Sequence, residues 1–188
     1  MRKKAIEKAF RQSLAIFPGY MVLGTGFGVL MCSKGFNLFH CLAMSVFIYA
    51  GSMQYAGVDL LSLPAGIIST AMMTIMVNIR HLFYGVAMIS RYQKLQHHKL
   101  YDIFALTDET YTLLCDGKVP EGTDPDLYRF LVSLFDHCFW VTGCVAGSLL
   151  GEVLPFSTAG IEFSMTALFI ASFTEQWLTT RDHIPALT

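Results

Sequence analysis

QSLAIFPGYMVLGTGFGVLMCS, residues 12–33, runs for 22 positions without an Asp, Glu, Lys or Arg. About 20 mainly apolar residues are enough to cross the hydrocarbon core of a bilayer. The stretches that follow repeat the pattern. GFNLFHCLAMSVFIYAGSMQYAGV at 35–58 adds 24 uncharged residues, and LLSLPAGIISTAMMTIMVNI at 60–79 adds 20. The whole chain of 188 residues is 54% apolar and 14% charged, whereas a soluble domain carries about 25% charged residues. A soluble chain of this length cannot enclose three such segments. Strands of an outer-membrane barrel alternate apolar and polar residues, and IISTAMMTIMV does not. The expected fold is therefore an all-α polytopic membrane protein with its residues 1–188 in one transmembrane domain.

Working outward, residues 1–13 form a basic lead in which Arg2, Lys3, Lys4, Lys8 and Arg11 face only Glu7. Basic flanks stay on the cytoplasmic side, which predicts a cytoplasmic N-terminus. Residues 14–90 read as a first helical half, 91–126 as a loop and short-helix region, and 127–188 as a partial second half. The first span, 14–31, carries Gly24 and Gly28 four apart, a face on which another helix can approach closely. Gly143, Gly147 and Gly151 continue the same period in the span 127–150. Because both glycine-faced spans precede a loop and another apolar block, they read as counterparts in an incomplete inverted repeat. A last apolar run is expected over 163–177.

Two polar interruptions are expected within the first half. Gly51, Ser52, Met53 and Gln54 break the apolar block 38–61, and Asn78, Ile79, Arg80 and His81 break the next one. Backbone freed in lipid must be buried in protein or line a wet cavity. The loop after the second block, 91–99, has three permanent positive charges and no acid. It falls on the cytoplasmic side if 38–61 is a re-entrant hairpin.

These breaks supply the candidate substrate or translocation residues: Gly51, Ser52, Gln54, Asn78, Arg80 and His81. A broken helix can turn its positive end toward a carboxylate; a kink closed by the Ser52 hydroxyl is the alternative. Arg80 can clamp a carboxylate with its fork or anchor the end of its block, with Asp108, Glu109 and Asp136 as candidate partners. His81 can relay protons or hold a structural hydrogen bond. Asp108, Glu109 and Asp136 are candidates for ion coupling, since a carboxylate in a dry site takes up a proton more readily; ordinary helix-end acids are the other reading. Tyr84, Tyr111 and Trp140 can line a pocket or simply pack. The five cysteines lack metal-ligand spacing and read as small buried hydrophobes. No metal site, cofactor motif, nucleic-acid patch or enzymatic motif is expected.

PGYMVLGTGFGVL at 18–30, MSVFIYAGSMQY at 44–55 and VNIRHLFYG at 77–85 resemble the motifs of the AzlC-type branched-chain amino-acid exporters. LTDETY at 106–111, GCVAGSLLG at 143–151 and MTALFIASFTEQW at 165–177 extend the resemblance in family order. It implies a permease of the bacterial inner membrane that exports leucine, isoleucine, valine or related analogues, with a small hydrophobic partner subunit of the AzlD type. The matching signature positions are Gly28, Gly51, Ser52, Gln54, Asn78, Arg80, His81, Asp108 and Glu109. Family members continue with further apolar helical sequence after the EQW region, so this chain, ending at Thr188, is expected to be a short form. A channel, or a non-transporting scaffold or regulatory subunit, stands as the alternative function.

Overall fold

The computed structural model describes residues 2–62, 66–93, 95 and 97–153, and separate positions at 160, 163, 167, 170 and 174. The run 163–177 therefore lies almost wholly outside the described residues. Eight helices are formed among them: α1 (Arg2–Ser13), α2 (Phe17–Ser33), α3 (Leu38–Phe47), α4 (Gly51–Ser62), α5 (Ile67–Tyr92), α6 (Lys99–Phe104), α7 (Asp108–Leu114) and α8 (Pro125–Val153). By length and composition α5 and α8 can each cross a bilayer, and α1 with α2, bent at 63°, passes the same test only when the pair is taken as one broken span. Pro18 stands in the first turn of α2, where the missing N–H is not needed by the helix. The lead expected at 1–13 is thus a helix in its own right, with Ala5, Ala9 and Ser13 buried.

Helix directions follow from who meets whom. A Cβ on Gly24 would lie 3.1 Å from Gly143, one on Gly143 would lie 2.8 Å from the Tyr20 carbonyl oxygen, and one on Gly151 would lie 2.8 Å from Cys32. The numbers rise together, so α2 and α8 run parallel. The two glycine faces form one seam, and at Gly28 and Gly147 the facing backbones leave no room for any side chain. Elsewhere the chain doubles back. Along α3, Cys41 reaches the Cys144 carbonyl (3.4 Å) and the Ser45 carbonyl meets His137 (3.2 Å), so α3 descends against α8. Along α4, Gln54 meets Trp140 (2.8 Å), Tyr55 donates to the Leu23 carbonyl (2.7 Å), and Asp59 pairs with Lys34 (3.6 Å), so α4 climbs back beside α2. At 10 and 12 residues these helices are about 15 and 18 Å long, roughly half of a 30 Å hydrocarbon core. Together they make the expected hairpin, entering from the end of the bundle opposite α1.

The break itself is displaced from its expected place. Helix α3 stops at Phe47, and Gly51, Ser52 and Gln54 already belong to the first turn of α4. The turn is made at 48–50, where Tyr49 has φ +40°, a value uncommon for a residue with a side chain. The second expected interruption is absent. Asn78, Arg80 and His81 lie within the continuous helix α5; Asn78 turns its amide back onto the Thr74 carbonyl at 2.9 Å, so a polar side chain is accommodated without freeing backbone.

A second hairpin, formed within the loop and short-helix region expected at 91–126, comes from the opposite end. Along α6, His98 stacks on Phe130 (4.1 Å) and Tyr101 bonds His137 (2.9 Å), so the chain rises with α8. Along α7, Thr110 reaches Asp136 (3.0 Å), while Leu114 packs near Tyr128 and Val132. That is a descent. Helix α5 also descends, its Met88 and Tyr92 joining Ala9, Tyr128 and Val132. A span followed by a hairpin (α2, then α3–α4) is thus repeated upside down (α5, then α6–α7), and α8 follows. The inverted relation holds between α2 and α5, not between α2 and α8, whose parallel course rules them out as inverted counterparts. Among the cysteines only Cys41 and Cys144 are buried; Cys138 is exposed on the apolar surface.

Candidate functional site

The two hairpin tips, 48–50 and 105–107, meet at the level of Tyr20. Its hydroxyl lies 2.8 Å from Thr107 Oγ1, 3.5 Å from Tyr49 Oη and 3.0 Å from Glu109 Oε2, to which it donates. Thr107 is also the N-cap of α7, accepting from the Thr110 N–H at 3.3 Å. Asp108 and Glu109 occupy the first turn, where acids complement the positive end of a helix. Opposite them stands the start of α4, whose first N–H groups have no carbonyl one turn back.

Between the tips is a cavity of about 30 Å³, enough for one or two waters and too small for an amino acid. Its walls carry both signs of charge. Arg80 pairs with Asp108 and also donates to the Ser52 hydroxyl, so one guanidinium on α5 ties together the starts of α4 and α7. The second oxygen of Asp108 has no hydrogen-bond partner among the described residues. His81, its Nδ1 3.3 Å from the Asn78 carbonyl, and Glu109 complete the polar wall, and Leu23 with Trp140 the apolar one.

Of the six expected path residues, Gly51, Ser52, Arg80 and His81 line the cavity. Gln54 and Asn78 do not. Gln54 is fully buried behind the wall and accepts from the Trp140 indole N–H at 2.8 Å, which fixes the ring that covers Gly51. Asp108 and Glu109 also line the cavity, whereas Asp136 lies deeper on α8, bonded to Thr110. Tyr84 and Tyr111 stack on each other at 4.7 Å outside it; Trp140 is in its wall. Tyr20, Tyr49 and Thr107 escaped the sequence reading. Tyr20 and Tyr49 sit in apolar runs as ordinary aromatics, and only Thr107 as an N-cap residue followed by two acids points to the second tip. Among the described residues no set of His, Cys, Asp or Glu side chains gathers to hold a metal ion.

The family model described as AzlC protein matches residues 15–154. The chain belongs to the AzlC family. It is 38% identical over 184 residues to the branched-chain amino acid transport protein AzlC of Bacillus subtilis strain 168, covering 98% of this chain and 72% of that protein. An uncharacterized membrane protein of Haemophilus influenzae is 37% identical over 98% of the chain and 76% of its own length. The inner membrane protein YgaZ of Escherichia coli K12 is 27% identical over 86% of the chain and 69% of its own length. No solved structure matches. The AzlC match takes in both hairpins and all the cavity residues, and it supports a membrane protein with a role in transport.

Proposed function

We propose that this AzlC-family chain is the large subunit of a secondary transporter that exports branched-chain or related amino acids from the bacterial cytoplasm across the inner membrane, driven by protons. The supporting observation is the small cavity at which two broken helices from opposite ends meet, with Arg80 on one wall and Asp108 and Glu109 on the other. A zwitterion needs that pairing. Its carboxylate is met by the start of α4 and the Arg80 fork, and its ammonium by the free oxygen of Asp108. Leu23 and Trp140 offer apolar surface to a branched side chain. The cavity must widen to admit it, so this closed form lies between two open ones, as alternating access requires.

Orientation rests on charge. The basic lead at Arg2–Arg11 and the basic segment after α5 lie at the same end of the bundle, and both favour the cytoplasm; the α3–α4 hairpin then enters from outside. The partner is a small hydrophobic subunit of the AzlD type. Helix α5 supports this, presenting Ile67, Ile68, Ile75, Met76 and Leu82 outward, each more than half exposed.

Labelled leucine loaded into cells tests the reading. Efflux should depend on this chain and the small subunit together, collapse with the proton gradient, and fall at least tenfold in Arg80→Ala protein that is still folded. Equal efflux from cells lacking the protein overturns it.

A further inference from the structure

A continuous file of hydrogen bonds joins two acids that the proposed transport mechanism leaves unconnected. Glu109 Oε2 accepts from the Tyr20 hydroxyl at 3.0 Å; Tyr20 lies 2.8 Å from Thr107 Oγ1; Thr107 lies 3.2 Å from Thr110 Oγ1; and Thr110 donates to Asp136 Oδ2 at 3.0 Å. Glu109 opens onto the cavity. Tyr20, Thr107, Thr110 and Asp136 are buried, so no bulk water interrupts the file.

Proton counting decides what the file can be. It contains four gaps and only three hydroxyls. A hydroxyl donates one proton. If both carboxylates were ionised, one gap would set lone pair against lone pair, in a place where an unmet polar group costs most. One additional proton fills every gap. We propose that Glu109 and Asp136 share one proton through the hydroxyls of Tyr20, Thr107 and Thr110, which form a relay between the cavity and the interior of the α1–α8 side.

The transfer balances without any electron change. The Glu109 carboxyl gives its proton to the Tyr20 oxygen as Tyr20 gives its own to Thr107, Thr107 to Thr110, and Thr110 to Asp136. Four O–H bonds break and four form, all hydrogen-bond directions reverse, and one proton has moved from Glu109 to Asp136. The charged and titratable groups facing the cavity end are Asp108, Arg80 and His81. Tyr49 contacts Tyr20 and lies near Asp136 as well, and Ser13 on α1 adjoins Asp136. An amino acid whose ammonium sits at the cavity end favours ionised Glu109 and drives the proton to Asp136. That coupling rests on the proposed transport reading; the shared proton does not.

The test is the infrared carbonyl stretch of protonated carboxyl groups, recorded near neutral pH on purified full-length chain in lipid vesicles, with no substrate. An amide in either acid's place can itself donate and fill the file. Glu109→Gln and Asp136→Asn should therefore each remove the band of one carboxyl, and the double variant should remove no more than either single one. In a Thr110→Val background, which cuts the file without deleting an acid, this equivalence should vanish: one of the two substitutions still removes the band and the other does not. Tyr20→Phe should act in the same way. Loss of no band from either single variant, loss from only one of them with the file intact, or additive loss in the double variant overturns the shared proton. Failure of leucine efflux leaves this measurement untouched and counts only against the transport reading.

Discussion

The α2–α8 seam and helix α5 are both long apolar elements, yet they are held in opposite ways. Along the seam, glycines at 24, 28, 143, 147 and 151 bring backbone against backbone, and dispersion over that contact, rather than any hydrophobic gradient, fixes the pair in lipid. Helix α5 buries only Met88 and Tyr92. Its upper part is held through side chains, Arg80 to Ser52 and Asp108 and Tyr84 stacked on Tyr111, and its lower end by Met88 and Tyr92 in the core and Arg91 on the Leu114 and Cys115 carbonyls. A seam of this kind has one arrangement. Helix α5 is held by side-chain contacts instead, so a substitution acts on backbone packing along the seam and on individual side-chain pairs at α5.

The comparison breaks first at Gly28. Gly28→Val forces the seam apart and should cost about 3 kcal/mol or more, seen as loss of monodisperse protein on size-exclusion chromatography of detergent extracts; Gly147→Val should behave alike. A folded Gly28→Val protein would show that the seam is not the frame. Next comes the α5 attachment. Arg80→Ala strands the half-buried Asp108 carboxylate and should lower stability by about 2 kcal/mol, read from thermal unfolding in detergent. The Arg80→Ala/Asp108→Ala pair should lose less than the two single changes summed. Trp140→Phe leaves the Gln54 carbonyl oxygen without its donor, at a cost of about 1–2 kcal/mol; adding Gln54→Met should recover part of it, because no polar atom is then left unmet. The smallest effect sharpens the contrast most. A Cβ at Gly85 on α5 would meet nothing within 4 Å, so Gly85→Ala should raise stability by up to about 1 kcal/mol through helix propensity, while the same change at Gly28 is destructive.

Much of this frame was legible. Charge-free runs mark α2, the α3–α4 block and the first half of α5, because lipid tolerates few charges at any register, and glycine spacing marks α8 and the faces that meet. What those faces meet is not legible: the shared spacing of Gly24–Gly28 and Gly143–Gly151 suggests copies, whereas they are each other's partners. Glycine and polar residues loosen helices, which points to Gly51–Gln54 as the α3–α4 break. It falls on Tyr49 instead, an aromatic whose positive φ no composition announces. Asn78, Arg80 and His81 misled in the other direction, since side chains that bond within or across helices leave the backbone of α5 intact. The sequence marks 91–126 as a short-helix region, but helices of 6 and 7 residues are too short for hydrophobic periodicity to show that two of them pair as a hairpin. Four of the six path residues nonetheless reach the cavity.

The meeting of the hairpin tips has an electrical consequence. In the proposed transport cycle, water entering beside a hairpin would leave only the few residues around Tyr20, Tyr49 and Thr107 as insulation. A transmembrane voltage would then fall across that thin plug instead of being spread over the whole bilayer. Moving one elementary charge through the full drop is worth about 2.3 kcal/mol per 100 mV. A proton stepping past the tips would collect most of it in a few ångströms, whereas one crossing an even slab over the same distance would collect a fraction.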